Sequence, residues 1–107
     1  MQNMKEIKAY IRKDCLDTSV NELAKIEGLS GLSVSTVTGF GRSRGVLRFV
    51  NFETHNKLEI VCANALAGKV VEIIRRSACT GHRGDGKIYV SDVVESIRIE
   101  SGIRNES

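Results

Sequence analysis

The order of the predicted secondary-structure elements most constrains how this chain can fold. Alternating apolar and polar residues indicate strands, and apolar residues at helical spacing indicate helices, in the order β-α-β-β-α-β. That order is typical of the ferredoxin-like split βαβ motif, in which both helices cover one face of the sheet. A chain of 107 residues has room for one modest core. We therefore predict a single α+β domain over 1–107.

The sequence also predicts where these elements begin and end. Strands are expected at 5–12, 32–38, 57–63 and 87–93, with a short fifth strand at 95–99. The first helix is expected to begin at a capping box, Ser19 to Glu22, and to end at Gly28. Its apolar stripe is expected to comprise Leu16, Val20, Leu23 and Ala24. The second helix is expected from Asn64 to Arg76.

Two segments and one face of the sheet are predicted to be polar and exposed. Segment 43–56 has no clean period and is interpreted as a loop or hairpin, and the tail 101–107 is interpreted as frayed. The sheet face opposite the helices is expected to carry Ser33, Ser35, Lys57, Glu59 and Lys87. Such a face either meets water or packs against further subunits, so we expect an oligomer.

The composition is that of an ordinary globular protein, with 41% hydrophobic and 27% charged residues. A net charge of +3 is too small to indicate nucleic acid by itself. No apolar run approaches the roughly 20 residues that a membrane-spanning helix needs. Without a recognisable signal peptide, the expected location is cytoplasmic, without membrane insertion. The three cysteines form no C-x-x-C pair and are expected to be reduced thiols.

Two glycine-rich turns, each beside a predicted strand, carry the clearest chemical signal. The first is GFGR at 39–42, and the second is TGHRGDGK at 80–87. Glycine lets the backbone approach a ligand closely, and Arg or Lys neutralises negative charge, which is the combination that phosphate oxygens require. The ligand of a site built from both turns would be anionic.

Better-known phosphate motifs do not fit these turns. Segment 81–87 has the spacing G-x-x-x-x-G-K, but Ile88 replaces the Ser or Thr that would hold magnesium, and a strand follows instead of a helix. The turn at 39–42 begins like a dinucleotide fingerprint, but Arg44 occupies the place of the third glycine. No Ser-His-Asp or Cys-His arrangement is legible, so we predict no enzymatic activity.

Two other binding modes stay open as alternatives. A ferredoxin-like nucleic-acid module would stack bases on aromatic side chains of a sheet face, and Tyr10 and Tyr89 are expected on the polar face. A metal-binding trimer is suggested by Cys79-x-x-His82, with Cys62 nearby, although these residues do not form two convincing ligand pairs. We predict neither a bound metal nor a nucleic-acid partner.

With both glycine turns placed, the chain resembles the PII signal-transduction proteins, the nitrogen regulatory P-II family. The similarity runs from Met4 to about Gly102 and depends most on two motifs. One is GFGR, at the base of the family's T-loop, and the other is TG followed by GDGKI, in its B-loop. The resemblance implies a homotrimer of ferredoxin-like subunits that binds adenine nucleotides in clefts between neighbours.

The resemblance also implies which residues bind the nucleotide. Phosphate would be held by Gly84, Asp85, Gly86 and Lys87. The same cleft would be lined by Gly39, Phe40, Gly41 and Arg42, with Ser33 and Val61 nearer the base. Glu59 would lie close to the binding lysine, and Arg98 of the adjacent subunit would add a second cation.

This chain departs from the family pattern at three places. The segment between Arg42 and Lys57 is several residues shorter than a full T-loop and contains no tyrosine, so uridylylation there is not expected. Glu100 replaces a terminal arginine, and His55 stands near a family lysine that reaches toward the outer phosphates. Losing two cations and gaining an anion should weaken a triphosphate most, so ADP or AMP is expected to bind better than ATP.

The shortened loop is expected to carry the signal to a partner. Short-loop relatives are thought to sense nucleotides, sometimes with bicarbonate, and to control transporters or carbon metabolism. By this resemblance the ligand would order the loop and present it to an effector protein, such as a membrane transporter or an enzyme. The residues expected to meet the partner are Arg44, Arg48, Phe49 and Phe52.

Overall fold

The computed structural model describes residues 3–40 and 53–106. In chain order their elements are β1 (Met4–Ile11), α1 (Leu16–Leu23), β2 (Ser33–Gly39), β3 (Glu53–Ala63), α2 (Asn64–Ala78) and β4 (Gly86–Val93). A short 3-10 turn, Lys13–Cys15, joins β1 to α1. The strands form one sheet with the order β2-β3-β1-β4, and neighbouring strands are antiparallel. The predicted α+β ferredoxin-like fold is confirmed.

The core lies between this sheet and the two helices. Alternate residues of the central strands point to the helices and are buried: Ile7, Ala9 and Ile11 on β1, and Leu58, Ile60 and Cys62 on β3. The helices contribute Leu23 from α1 and Ala67, Val70, Ile74 and Ala78 from α2. The period-two pattern of the sequence therefore predicts the inward face of both central strands correctly. One face of these strands packs against the helices, and the other is more exposed to solvent.

The first helix differs from its prediction at both ends. It begins at Leu16 and ends at Leu23, before Gly28, and the capping box is wrong. Ser19 is fully buried inside α1, and its hydroxyl lies 2.9 Å from the Ser77 hydroxyl on α2. Ser77 Oγ donates to the Ile73 carbonyl at 2.7 Å, so its oxygen accepts the hydrogen bond from the buried Ser19 hydroxyl. The predicted stripe also included Ala24, which is exposed.

Strand β3 begins earlier than predicted. Residues 53–56, expected in a loop, pair with β2, so that Gly39 stands opposite Glu53 and Thr36 opposite Asn56. Polar side chains at these positions obscure the alternation by which a strand is usually recognised. The rest of the predicted loop, 43–52, lies outside the described residues.

The region after β4 also differs from its prediction. The fifth strand expected at 95–99 is wrong, and an isolated bridge joins Ile97 to Arg104 in its place. Backbone hydrogen bonds from Arg98 N to Ile103 O (2.8 Å) and from Asn105 N to Ser96 O (2.8 Å) close this turn. The tail is therefore paired as far as Asn105, and the prediction of a frayed end is wrong for 101–105.

The sheet face opposite the helices carries the polar residues predicted for it. Tyr10, near the end of β1, stands opposite Lys57 of β3 and Lys87 of β4. The rings of Tyr10 and Tyr89 meet edge to face with their centroids 6.1 Å apart, and Lys57 Nζ lies 5.8 Å from the Tyr10 ring centroid. Beyond the sheet, Val94 is 96% exposed and Ile99 is 99% exposed. Apolar side chains this exposed suit the oligomer predicted above, which stays a prediction.

Gly86, the first residue of β4, lies too close to the backbone of β1 to accept a side chain. Its φ is +111°, and a Cβ atom there would lie 1.7 Å from the Tyr10 carbonyl oxygen. We expect Gly86→Ala to lower the free energy of unfolding by more than about 3 kcal/mol, because backbone strain and a clash with backbone act together. Urea denaturation followed by circular dichroism measures this loss.

Gly68→Ala is the matched control. Gly68 lies within α2, and a Cβ atom there would meet nothing within 4 Å. Replacing a helical glycine by alanine should raise the free energy of unfolding by about 0.5–1 kcal/mol. Equal effects of the two substitutions would contradict the tight approach of Gly86 to Tyr10.

Candidate functional site

The second glycine turn, loop 80–86, is held together by one carboxylate. Asp85 accepts hydrogen bonds from the backbone N–H groups of Thr80 (2.8 Å) and Gly81 (3.0 Å) at Oδ2. Its Oδ1 accepts from the Thr80 hydroxyl and, at 3.0 Å, from Arg12 Nε. Both carboxylate oxygens are therefore engaged within the protein. Asp85 closes the loop into a ring and links it to the end of β1.

Two side chains of the sheet fix the middle of the same loop. Arg12, the residue after β1, also donates through its second guanidinium nitrogen to the Arg83 carbonyl. His55 of β3 lies with Nε2 3.3 Å from the Gly84 carbonyl oxygen and 4.0 Å from a carboxylate oxygen of Glu53. Two successive carbonyls of the loop are thus bound from the sheet side.

These contacts change the acidity of Asp85. The hydrogen bond from the Thr80 hydroxyl is the largest cause that holds the pKa of Asp85 far below its ordinary value of 3.8. The backbone N–H groups of Thr80 and Gly81 and the Arg12 guanidinium lower that pKa further, while partial burial opposes them. The carboxylate therefore stays ionised throughout the neutral range.

The two glycine turns meet in one cleft, as the sequence suggested. The cleft has a volume of about 430 Å³ and lies on the sheet face opposite the helices. From the first turn it is lined by Gly39 and Phe40, and from the second by Gly86 and Lys87. The rest of the lining comes from Val37 and Thr38 of β2, Glu53 and His55 of β3, and the two tyrosines Tyr10 and Tyr89. A cation, an imidazole and an acid therefore share one open space.

The other predicted binding residues do not line this cleft within one subunit. Ser33, Glu59 and Val61 line a second cleft of about 380 Å³. Arg98 lines a third of about 220 Å³, which it shares with Val61. Asp85 lines a further cleft of about 380 Å³ beside α2. The described residues of one subunit therefore do not join the predicted residues in a single cavity.

Glu59 does not lie beside Lys87 within the subunit. Its carboxylate is 3.5 Å from Lys57 Nζ on the same strand, and in the register of the sheet it stands opposite Lys8 of β1. The expected proximity of Glu59 to the binding lysine is not found within the subunit and stays a prediction.

Several predicted site residues cannot be placed. The first turn is described only as far as Phe40. Gly41, Arg42 and the predicted partner-binding residues Arg44, Arg48, Phe49 and Phe52 lie outside the described residues.

The sequence interpretation missed two residues of the site. Arg12 was treated as the last residue of a strand, and Glu53 as part of a loop. The sheet register is the signal that would have found both, because Ile11 pairs with Gly86 and Glu53 pairs with Gly39. In each case the pairing of two strands brings the residue to its glycine turn, and a local sequence pattern does not reveal that pairing.

Among the described residues, no group of three or more His, Cys, Asp and Glu residues is arranged to hold a metal ion. Within the same residues, no helix is both long enough and apolar enough to cross a membrane.

The low pKa of Asp85 predicts how the stability of the loop depends on pH. Because folding lowers this pKa, the stabilisation is complete above the ordinary value of 3.8 and is lost as the pH falls through the folded value. We expect the difference in unfolding free energy between wild type and Asp85→Asn to be constant above about pH 5 and to shrink in stronger acid. Urea denaturation over a pH series measures it.

Thr80→Val provides the control, because it removes the donor that lowers the Asp85 pKa most. In that variant the folded pKa of Asp85 lies closer to its ordinary value, so the acid-dependent loss should be smaller in total and should be complete at a higher pH than in wild type. A wild-type stability that depends on pH in the same way as that of Asp85→Asn would contradict the ionised carboxylate as the organiser of the loop.

Comparison with known proteins agrees with this fold. The family model described as nitrogen regulatory protein P-II matches residues 4–103. The chain is 42% identical to the nitrogen regulatory protein P-II of Bradyrhizobium diazoefficiens, over 92% of this chain and 94% of the relative. It is 40% identical to that of Haemophilus influenzae, over 96% of this chain and 97% of the relative.

A solved structure and the length of the alignments complete the comparison. The crystal structure described as Arabidopsis thaliana PII bound to citrate matches with a TM-score of 0.82 and 33% identity, over 98% of this chain and 91% of that one. The alignment with the Bradyrhizobium protein has 106 positions but includes 92% of the 107 residues here, so this chain has gaps relative to its relative. The chain belongs to the nitrogen regulatory protein P-II family.

Proposed function

We propose that this regulatory protein binds an adenine nucleotide whose phosphates occupy the cleft between the two glycine turns. One observation carries the proposal: Gly39 and Phe40 line the same cleft as Gly86 and Lys87, although they are far apart in sequence. Lys87 supplies positive charge, and the glycines allow phosphate oxygens to approach backbone N–H groups. Membership of the P-II family supports the same ligand class.

The base and sugar would extend from this cleft along the sheet face. Ser33 and Val61 border the neighbouring cleft, and Arg98 borders the one beyond it. In the homotrimer that we propose, subunits placed side by side would join these groups into one site. Arg98 of the adjacent subunit would then add a second cation to the phosphates.

The charges of the cleft favour a nucleotide with few phosphates. His55 occupies part of the cleft, and its Nε2 lies near the Gly84 carbonyl and the Glu53 carboxylate. The Glu53 carboxylate, which lines the same cleft, repels added negative charge. We therefore infer that ADP or AMP binds more tightly than ATP.

The nucleotide would act by selecting a conformation of the short segment 43–52. A ligand shifts such an equilibrium only if it binds one conformation better than the other. Arg44, Arg48, Phe49 and Phe52 would then contact an effector protein, such as a transporter or an enzyme, and bicarbonate would be a second signal. No catalytic step is included in this proposal.

Isothermal titration calorimetry with AMP, ADP and ATP, each with and without bicarbonate, tests the proposal. We expect ADP or AMP to bind more tightly than ATP. Lys87→Ala should weaken binding about tenfold or more, because a charge-assisted contact to phosphate is lost. Lys25→Ala removes the same charge from the turn after α1, where Lys25 pairs with Glu22, and should leave affinity unchanged.

Each arm of this experiment has a contrary outcome. Equal or tighter binding of ATP would refute the preference for ADP or AMP. Equal losses in the two lysine variants would refute the cleft as the phosphate site. Wild-type protein that binds no adenine nucleotide, but binds oligonucleotides with strong salt dependence, would favour the nucleic-acid alternative.

A further inference from the structure

Arg12 is a charged residue of this region that does not line the cleft. It follows β1, and it reaches loop 80–86 with two parts of its guanidinium group. Nε lies 3.0 Å from Asp85 Oδ1, and a second nitrogen donates to the Arg83 carbonyl. The Arg12 side chain is 35% exposed. Arg12 therefore binds the loop through two of its N–H donors.

The second of these bonds determines where a backbone N–H group points. The described residues contain no cis peptide bond, so the carbonyl of Arg83 and the N–H of Gly84 point in opposite directions across one planar unit. Because Arg12 holds the Arg83 carbonyl on its own side, the Gly84 N–H is directed away from the guanidinium. Gly84 is exposed and has a φ of +86°.

His55 has the same effect on the next peptide unit. Its Nε2 lies 3.3 Å from the Gly84 carbonyl, so the N–H of Asp85 is directed away from the imidazole. The N–H groups of Gly84 and Asp85 are therefore both directed away from the two side chains that hold the loop. Arg12 and His55 thus set the conformation of the loop before a ligand is present.

We propose that Arg12 is a positioning residue that sets the direction of the Gly84 peptide and keeps loop 80–86 in the conformation from which Gly86 and Lys87 line the cleft. This inference rests on the proposed function. Arg12 acts through Asp85 and the Arg83 carbonyl, and it does not touch the nucleotide. Its role differs from that of Lys87, which lines the cleft and would meet phosphate directly.

Arginine suits this role better than lysine. The guanidinium is planar and has donors in a fixed fork, so one side chain can bind a carboxylate and a carbonyl at the same time. A lysine ammonium is a compact charge without that fork. If the charge alone mattered, Arg12→Lys would be harmless. If the two-point contact matters, that substitution loses the alignment of the loop.

The test compares Arg12→Gln, Arg12→Lys and Lys13→Gln by calorimetry with ADP. Lys13→Gln is the matched control, because it removes the same charge from an adjacent, exposed position. We expect Arg12→Gln to weaken ADP binding about tenfold and Arg12→Lys at least about threefold, since hydrogen bonds to charged groups are lost. Lys13→Gln should change it less than about twofold. Full affinity in Arg12→Lys would overturn the proposal.

A double-mutant cycle separates positioning from direct contact with phosphate. If Arg12 acts through Asp85, the affinity loss in the double variant of Arg12→Gln and Asp85→Asn should be smaller than the product of the two single losses. Independent, multiplying losses would show that Arg12 acts on the ligand directly, and would overturn the proposal.

Spectra of the ligand-free protein provide a readout that does not depend on nucleotide. In ¹H–¹⁵N spectra, Arg12→Gln should shift the amide signals of Gly81 and Gly84 and speed hydrogen exchange at Gly81, while Gly68 in α2 stays unchanged. Unchanged loop signals would overturn the proposal. If wild type binds no ADP, the proposed function fails, and these spectra still decide whether Arg12 holds the loop.

Discussion

The carboxylate of Asp85 is the interaction on which the candidate site depends. Loop 80–86 is rich in glycine and poor in apolar side chains, so it has no packing of its own to offset the entropy lost on ordering. Asp85 offsets that cost by accepting hydrogen bonds from Thr80, Gly81 and Arg12. The glycines give the loop its shape, and the ionised carboxylate keeps that shape in place.

The fold was largely predictable because its central elements follow simple patterns. Strands β1 and β3 alternate strictly where they face the core, and α2 has the expected apolar stripe. The prediction was wrong where tertiary contacts determine the structure. Ser19 has the spacing of a helix cap, but its hydroxyl is paired with Ser77 inside the core. Residues 53–56 are polar, and their pairing with β2 makes them a strand.

The site was predictable in its composition and only partly in its geometry. The glycine turns and Lys87 could be recognised because glycines and charged residues are visible in a short stretch of sequence. The contribution of Arg12 was not, because 73 positions separate it from Asp85 and the register of β1 against β4 brings them together. His55 was noted as a departure from the family pattern, but its contact with the Gly84 carbonyl required the register of β3.

The close approach of Gly86 to Tyr10 gives the two ends of loop 80–86 different mechanical properties. At Gly86 the backbone rests against the Tyr10 carbonyl, so this end cannot slide without separating β4 from β1. Toward α2, Gly81 also has a positive φ, and a Cβ atom there would meet nothing within 4 Å. A rearrangement of the loop that leaves β4 paired with β1 must therefore take place on the α2 side of Gly86.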